Sequence, residues 1–348
     1  MMTTIETDRL RMRPFTDEDY PLILEISAHP DTIRYLYFWG RNGITPEDDA
    51  RRFLAYALKN WARDPIRARE YCVELKETGE SLGDASVEWV EGSPGTAEIG
   101  WILLPRCRGQ GYATEAGKAL MDAAFARMGA ERVIAHCDAR NAASYHVMER
   151  LGMRLTGIDP AARPGKLPGD PPGDEFEYAI NRHEWQVHQA FDVYHRLTCQ
   201  FTGFVSTPEL TDGEITLTLD RVKPAEPGRN RVPAYCFHIM RDGQSIGGIN
   251  LRIGYPDSLL YGGQIGYHVE EAWRGRGYAG AACRLLLPLL RAHGMTAAVI
   301  TNNITNAASR RVCEKLGARL LCQAPVPPDH EMYAEGERAV NVFLWEVK

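Results

Sequence analysis

The chain has 348 residues, of which 44% are apolar and 25% charged, a composition typical of a globular protein whose length suits two domains better than one. Its net charge of −6 argues against a nucleic-acid or anionic-membrane surface. No apolar run reaches a transmembrane length, and residues 1–10 are too polar for a signal peptide, so we expect a cytoplasmic protein. Eight cysteines form no CxxC pair, which predicts reduced thiols and no zinc or redox site.

The first half of the chain alternates between strand-like and helix-like patterns. Period-two alternation at 9–13 predicts a strand, and Thr16 caps an apolar-periodic helix through Ile26. Pro46 begins a second helix that runs to about Trp61. The remaining predicted elements are antiparallel strands at 71–75, 82–90 and 98–104, a helix at 112–128, a strand at 133–137, a helix at 141–151, a proline- and glycine-rich loop at 159–174 and a closing strand at 175–180.

Four aromatic residues lie between the first two helices: Tyr35, Tyr37, Phe38 and Trp39. They either wall an acceptor pocket or pack as core beneath a loop. The sequence leaves both interpretations open.

A glycine turn follows the strand that ends at Leu104. Gly109 and Gly111 let the backbone approach a ligand closely and point successive N–H groups the same way, and a helix beginning at Tyr112 adds partial positive charge. The turn therefore predicts an anion cradle. Its predicted members are Arg108, Gly109, Gln110, Gly111, Tyr112, Ala113 and Thr114.

The same landmarks recur in the second half. Gly109 and Gly275 are 166 positions apart, and Asn141 and Asn306 are 165 apart. Spacing kept across an intervening helix and strand predicts a tandem duplication, with a first domain at 1–186, a linker at 187–205 that is largely helical, and a second domain at 206–348. The predicted strands of the second domain are at 215–221, 235–240, 245–253 and 264–269. Its predicted cradle consists of Arg274, Gly275, Arg276, Gly277, Tyr278 and Ala279.

The two copies differ in length and in the cradle helix. The first strand and the glycine turn are 99 positions apart in the first copy (Leu10 to Gly109) and 58 in the second (Leu217 to Gly275), so the second has little room for two front helices. Pro288 is expected to kink the second cradle helix.

These motifs resemble those of the GCN5-related N-acetyltransferases (GNAT). The family's Arg/Gln-x-x-Gly-x-Gly/Ala loop matches Arg106-x-x-Gly109-x-Gly111, and its Asn-x-x-Ser-x-x-Val-x-Glu-Lys-Leu-Gly helix matches 141–152 and 306–317. Ala272 replaces the first loop residue in the second copy. Residues 6–13 and 178–185 further resemble the RimJ/RimL-like subfamily, which acetylates ribosomal-protein N-termini.

The resemblance implies the α/β (α+β) class: two tandem GNAT folds, each a mostly antiparallel mixed sheet flanked by helices, with a splayed central strand pair. It implies acetyl-CoA (coenzyme A) as cofactor, an amine on a small molecule or a protein N-terminus as acceptor, no nucleic-acid or membrane partner, and an oligomeric state left open. Pantetheine is expected beside Ile102, Leu103 and Leu104, one of which would offer an N–H to the thioester oxygen. The other implied cofactor residues are Asn141, His268, Val269, Asn306 and Ser309.

Two residues are candidates for catalysis in the first copy. Glu98 is either the base that deprotonates the amine or an exposed strand carboxylate. The family's usual tyrosine position holds Met148, and in the resembled subfamily the serine matching Ser144 acts as the acid; Ser144 and Asn141 also suit helix capping. In the second copy Gln264 takes the glutamate position and cannot act as a base, while His268 is either a substitute base or structural.

Other functions also fit parts of the sequence. One or both copies could hold acyl-CoA without turnover, as a sensor or scaffold, and the donor could carry a longer acyl or an aminoacyl group. Gly275-x-Gly277-x-x-Gly280 satisfies a dinucleotide fingerprint, but residues 301–303 supply no acid at the end of the next strand, which argues against NAD.

Overall fold

The computed structural model describes residues 4–36, 43–62, 68–163, 165, 171–206, 209–226, 228 and 231–347. The chain divides into two compact units, Met1–Trp185 and Gln186–Lys348. No helix in the described ranges is long and apolar enough to cross a membrane. Within the same ranges, no group of three or more His, Cys, Asp or Glu side chains could hold a metal. Tyr37, Phe38 and Trp39, and residues 164 and 166–170 of the predicted loop, lie outside the described residues.

One mixed sheet organises the first unit. Its strands are β1 Ile5–Glu6, β2 Leu10–Pro14, β3 Ala68–Leu75, β4 Ser81–Trp89, β5 Thr96–Leu103, β6 Arg132–Asp138, β7 Arg154–Arg163 and β8 Gly173–Asn181. They lie in the order β1-β2-β3-β4-β5-β6-β8-β7. Neighbours are antiparallel except β5 and β6, which are parallel. The predicted mostly antiparallel mixed sheet is confirmed.

The central pair of strands splays apart. The ladder between β5 and β6 ends at the pair Glu98↔Ile134, yet β5 continues to Leu103 and β6 to Asp138. Beyond Glu98 the two strands therefore leave a V-shaped opening, as the resemblance implied.

Helices cover this sheet and supply the rest of the core. They are α1 Tyr20–Ala28, α2 Pro30–Ile33, α3 Pro46–Trp61, α4 Tyr112–Asp122 and α5 Ala142–Arg150. A π-helical turn, Ala123–Met128, extends α4. Leu22, Ile23 and Ile26 of α1 and Ala116 and Leu120 of α4 enter one apolar cluster with the strands. The apolar spacing that predicted these helices thus marks the faces that they bury.

The predicted loop at 159–174 is wrong over its first five residues and its last two, and the strand that begins at Arg154 was missed. β7 continues to Arg163 because Asp159 pairs with Glu175 and Arg163 pairs with Gly173. β7 lies at the sheet edge, where a proline such as Pro160 removes no required ladder donor.

The second unit contains two sheets. Its strands are β9 Leu210–Thr211, β10 Thr216–Lys223, β11 Ala234–Arg241, β12 Gln244–Arg252, β13 Ile265–Val269, β14 Ala297–Asn303, β15 Arg319–Pro325 and β16 Ala339–Glu346. The orders are β13-β12-β11-β10-β9 and β14-β16-β15, so β13 and β14 are edges of different sheets. α6 is Arg182–Tyr194, and the later helices are α7 Ser258–Gly262, α8 Tyr278–Leu285, α9 Leu287–Ala292, α10 Ala307–Lys315 and α11 Glu331–Ala334.

Three features bear on the expectations for this unit. The described residues between β10 and β11 form no α-helix, whereas α1 to α3 lie between β2 and β3. The cradle helix is interrupted where Pro288 was expected to kink it, since α8 ends at Leu285 and α9 begins at Leu287. Tyr194, from the segment assigned to a linker, is fully buried in the second unit and donates to the Pro256 carbonyl at 2.9 Å.

Candidate active site

The first glycine turn holds a row of backbone donors without partners. Gly109 and Gly111 have φ of 76° and 81°, the left-handed region that favours glycine, and Gly111 is the N-cap of α4. Within the described chain, the N–H groups of residues 109–114 meet no acceptor. Such a row at a helix start favours an anion.

This row borders a cavity of about 620 Å³. Most of the predicted cofactor residues line it, together with the candidate acid: Ile102, Leu103, Arg108, Gly109, Gly111, Tyr112, Ala113, Thr114, Asn141 and Ser144. Tyr35, from the aromatic segment, also lines it. The cavity also includes Trp101, Ile102 and Leu103 of β5, which lie beyond the last pair of the β5–β6 ladder.

Two predicted cofactor residues do not line this cavity. Leu104 is fully buried, and its N–H donates to the Leu82 carbonyl at 3.0 Å. Backbone groups alternate in direction along a strand, so Leu103 directs its N–H away from β4, toward the splay. The Gln110 carbonyl accepts from Arg9 Nη1 at 2.9 Å.

Arg9, which the sequence analysis missed, clamps the turn to the N-terminal strands. Its N–H and Nε donate to the two carboxylate oxygens of Glu115, at 2.8 and 2.7 Å, and its guanidinium stacks on Tyr112 at 4.6 Å. Thr7 also donates to Glu115. Burial alone would raise the pKa of Glu115, but the hydrogen bonds from Thr7 and Arg9 outweigh it and lower that pKa. The only sign of Arg9 in the sequence was that the 6–13 segment resembles a subfamily, and this resemblance suggested no role for the residue.

Cationic side chains surround the first cavity. Arg108, Arg140 and Arg150 line it, and Asp31 is the one carboxylate among its described lining residues. Arg108 Nε donates to the Leu103 carbonyl at 3.4 Å, tying the turn to the end of β5. Arg150 was missed, although Lys315 stands 165 positions later at the matching place.

The second glycine turn repeats this arrangement. Gly275 and Gly277 have φ of 79° and 89°, and Arg274 Nε donates to the Val269 carbonyl at 2.9 Å, as Arg108 does to Leu103. The turn borders a cavity of about 600 Å³. The predicted residues that line it are His268, Val269, Arg274, Gly275, Gly277, Tyr278, Ala279, Asn306 and Ser309.

The second cavity is more strongly basic than the first. Arg284, Arg311 and Lys315, which were missed, line it with Arg274, and no carboxylate occurs among its described lining residues. Arg276, a predicted member, does not line it; its guanidinium lies 5.1 Å from the Trp273 ring.

The family model for the acetyltransferase (GNAT) domain matches residues 9–154 and again 184–319. The chain belongs to the GNAT acetyltransferase family. It is therefore an acetyl-transferring enzyme that binds an acyl-CoA and needs an amine acceptor.

Individual relatives each match about half of this GNAT chain. YnaD of Bacillus subtilis, named an uncharacterized N-acetyltransferase, is 32% identical over 181 residues, which cover 52% of this chain and 98% of that protein. A GNAT-family acetyltransferase structure from Bacillus anthracis is 31% identical, covers 51% of this chain and 98% of its own, and has a TM-score of 0.43. The RimJ structure from Mycobacterium smegmatis, in complex with CoA-disulfide, is 19% identical, covers 50% and 83%, and also has a TM-score of 0.43.

Both GNAT units have residues that fit the phosphates of an acyl-CoA. Each turn has two left-handed glycines, and an added Cβ at Gly109 or Gly275 would meet open space, so the backbone is accessible from the cavity. Cationic side chains lie around both openings. The unpartnered N–H groups and these cations can share the phosphate charge.

Glu98 of the first GNAT unit pairs with a histidine that the sequence analysis did not single out. His136 Nδ1 lies 2.8 Å from Glu98 Oε1, and His136 Nε2 lies 3.6 Å from Glu177. The hydrogen bond to Glu98 raises the pKa of His136 against the opposing effect of burial. Glu98 sits where the β5–β6 ladder ends, but it does not line the described cavity as Ser144 does.

Asn141 and Ser144 take up positions at the start of α5. Asn141 is the N-cap, and its Oδ1 accepts from the Ser144 N–H at 3.3 Å. The Ser144 hydroxyl has no partner within the described chain and borders the cavity. In the second unit the equivalent hydroxyl of Ser309 is 2.9 Å from Tyr267 Oη.

Gln264, at the glutamate position of the second GNAT unit, is fully buried. Its Oε1 accepts from the Val299 N–H at 2.7 Å, and its Nε2 donates to the Gly254 carbonyl at 3.0 Å and to Tyr194 at 3.1 Å. The amide therefore joins the edge of one sheet to β14 of the other. His268, the alternative base, has a side chain that is 70% exposed.

Proposed function

We propose that the first unit transfers the acetyl group of acetyl-CoA to a primary amine, and that the second unit binds the cofactor without catalysing. The row of unpartnered N–H groups at residues 109–114, facing a cavity beside the splay, carries this proposal. Acetyl-CoA supplies an acyl thioester. The chain's own residues bind it, orient it and move the protons.

Cofactor binding is assigned to the turn and its neighbours. The N–H groups between Arg108 and Ala113 would hold the pyrophosphate, with charge added by Arg108 and Arg150. The N–H and carbonyl groups of Trp101 and Leu103 point away from β4, toward the splay, and would pair with pantetheine amides. The Leu103 N–H is then the donor that stabilises negative charge on the thioester oxygen.

Glu98 and Ser144 are assigned the two proton transfers. Glu98 takes the proton of the acceptor ammonium, directly or through water, and frees the nitrogen lone pair. The new bond joins this nitrogen to the acyl carbon while the carbon–sulfur bond breaks. The Ser144 hydroxyl donates its proton to the departing sulfur and regains one from the nitrogen, which loses a proton as the amide forms; its unpartnered Oγ at the cavity supports this role.

The charge on one sheet face supports a cationic acceptor. Strand register puts Glu70, Asp84, Glu88 and Glu98 on the same face, because paired and alternate residues share a side of the sheet. Burial raises the pKa of both Glu70 and Asp84, so their charge is only partly expressed. We propose a primary amine on a small molecule or a protein N-terminus.

The second unit is assigned a binding role because of Gln264. An amide has no useful basicity near neutral pH, and this one already makes three hydrogen bonds. The four cations of its cavity nevertheless favour a phosphate-bearing ligand.

The first test measures thiol release from acetyl-CoA over a panel of primary amines. General acid or base catalysis contributes about a hundredfold or more, so we expect Glu98→Gln and Ser144→Ala each to lower kcat by about that factor. Glu131→Gln, at an exposed carboxylate, and Ser309→Ala, at the matching helix start, are the controls. Full rate in Glu98→Gln removes Glu98 as base, and full rate in Ser144→Ala removes Ser144 as acid.

Calorimetry with acetyl-CoA tests binding separately. We expect two sites per chain, one lost in Gly111→Val and the other in Gly277→Val. Tight binding without thiol release from any amine would favour a sensor or scaffold, and no binding would overturn the proposal.

A further inference from the structure

A third cavity, of about 510 Å³, lies in the second unit and shares no lining residue with the cofactor cavity. Its floor includes Ala234 and Cys236 of β11 and Asn250 and Arg252 of β12. Leu259 and Gly262 of α7 close one side. A volume of this size suits a small organic ligand.

Among the described residues of the floor, Arg252 alone is charged. Its Nη1 donates to the Gly262 and Gly263 carbonyls, at 3.2 and 3.0 Å. Within the described chain, Nε and Nη2 have no acceptor and no carboxylate lies within salt-bridge distance. Burial lowers the pKa of this guanidinium, and the charge of Glu331 at the rim opposes that effect without forming a salt bridge with it.

No carboxylate among the described rim residues contacts this guanidinium. The described rim carries two exposed cations and three exposed carboxylates, whose charges largely offset one another and are screened by water. The rim residues are Lys223, Arg231, Glu226, Asp329 and Glu331. The guanidinium at the bottom of the cavity is therefore without a direct ion-pair partner among the described residues.

Comparison of the two units shows that the charge of this sheet face is reversed. Gly247 pairs with Val269 as Gly83 pairs with Leu103, and an added Cβ at either glycine would meet the carbonyl oxygen of the facing strand at 2.3 or 2.0 Å. Counting from these glycines, Arg252 takes the place of Glu88. In the same way Cys236, Gly248 and Gln264 replace Glu70, Asp84 and Glu98.

The face is also less covered by helices in the second unit. In the first unit Trp61 of α3 donates to the Glu70 carbonyl at 2.8 Å. The described residues between β10 and β11 include no α-helix that could take that place. The cavity lies there instead, beside Cys236, the counterpart of Glu70.

We propose that this cavity binds the carboxylate of a small aliphatic acid, held by the open side of the Arg252 guanidinium with the Asn250 amide beside it. A planar guanidinium fork matches the two oxygens of a carboxylate. A phosphate would require more donors than this floor offers. The second unit would then recognise an anion on the face where the first presents carboxyl groups.

The test titrates the full-length chain with pentanoate and with its uncharged isostere pentanamide, using ligand-observed saturation-transfer NMR. Hydrogen bonds to a charged group are worth about 1.5–3 kcal/mol, so we expect pentanoate to bind about ten- to a hundredfold more tightly than pentanamide. This comparison needs no variant and is unaffected by misfolding. Equal affinity for the two probes would overturn the proposal.

Variants locate the site. Arg252→Gln should weaken pentanoate binding about tenfold or more, Arg252→Lys should weaken it less, and Arg221→Gln, an exposed arginine outside the cavity, should leave it unchanged. Retained affinity in Arg252→Gln, or full displacement by chloride at equal ionic strength, would contradict the proposal. The readout is probe binding alone, so failure here leaves acetyl transfer by the first unit untouched.

Discussion

The ion pair between Glu98 and His136 makes a pH-dependent contribution to the free energy of unfolding. The folded-state pKa of His136 is raised above its ordinary value of 6.5. The stabilisation is therefore fully present below about pH 6.5 and is lost as the pH rises through the folded-state value. Both side chains are partly exposed, 24% for His136 and 34% for Glu98, so solvent screening limits the effect to less than about 1 kcal/mol.

A double-mutant cycle of Glu98→Gln and His136→Gln measures this pair. We expect a favourable coupling energy at pH 5.5 that disappears at pH 9, determined by urea unfolding at each pH. A coupling that is constant across this range, or that grows with pH, would show that His136 does not stabilise the fold as an imidazolium. The same variants report whether His136 also affects turnover through Glu98.

Residue identities in the glycine turn were predictable, but the direction of each backbone group was not. Gly109 and Gly111 were singled out from residue type and spacing, because a left-handed turn imposes strong local requirements, whereas Ser144 was singled out from the family resemblance. Leu104 was predicted to pair with pantetheine, but its N–H donates to the Leu82 carbonyl of β4, a direction that depends on the strand register. Arg9 escaped notice because its partner, Glu115, is 106 positions away.

Hydrogen bonds to Glu115 join the N-terminal strands of the first unit to α4. Glu115 accepts from Thr7 and Arg9, and hydrogen bonds to charged groups contribute about 1.5–3 kcal/mol. We expect Glu115→Gln to lower the free energy of unfolding by about 2 kcal/mol at pH 7 and to weaken acetyl-CoA binding in the first unit.

This loss should itself depend on pH. Because the folded-state pKa of Glu115 is lowered, its stabilisation is present above its ordinary value of 4.5 and is lost as the pH falls through the folded-state value. Urea unfolding at pH 7 and pH 3 checks this. Glu6→Gln, at an exposed carboxylate paired with Arg11, is the control and should have little effect; an equal loss in both variants would remove the special role of Glu115.

Elements with strong end signals were predicted almost to the residue, while an edge strand was not. Thr45 and Pro46 fix the start of α3, and the prediction of 46–61 is confirmed. Residues 154–163 contain Gly157 and Pro160, which locally favour a loop. Only pairing with β8 makes them a strand, and that partner is not encoded in the local pattern.

Gln264 gives a prediction for the two sheets of the second unit. Gln264→Ala would leave the Val299 N–H, the Gly254 carbonyl and the Tyr194 hydroxyl without their amide partner. Each unsatisfied buried group costs about 1–3 kcal/mol, so we expect a loss of about 3–5 kcal/mol in unfolding free energy. Gln264→Glu should also destabilise, because a carboxylate would face the Gly254 carbonyl.

Chemical denaturation followed by tryptophan fluorescence measures the effect. Gln244→Ala, at an exposed glutamine on β12, is the control. Wild-type stability in Gln264→Ala would show that the amide does not join the sheets.

At the scale of the whole molecule, the duplication was predictable from the sequence, whereas the reversal of charge on one sheet face was not. The spacing between matching residues of the two copies located both glycine turns, because an insertion in the helix or strand between those residues would have changed the spacing. The reversal of charge between Glu88 and Arg252 becomes visible only once strand register equates the two positions. The two copies thus share a glycine turn that borders a cavity and present opposite charges on the neighbouring sheet face.

This asymmetry predicts that turnover depends on one cradle. At φ of 81° and 89°, Gly111→Val and Gly277→Val each force a branched residue into the left-handed region, at a cost of about 1–2 kcal/mol or more, and each obstructs one N–H row. We expect Gly111→Val to lower kcat/KM for acetyl transfer by about a hundredfold, the equivalent of about 2.7 kcal/mol of lost phosphate contacts. Gly277→Val should retain kcat/KM within about threefold, because the second unit lacks a carboxylate at the position of Glu98.

Circular dichroism checks that both variants are folded, and the two substitutions control for each other. Equal losses in both variants would mean that the second unit takes part in turnover, and a loss in Gly277→Val alone would assign catalysis to it.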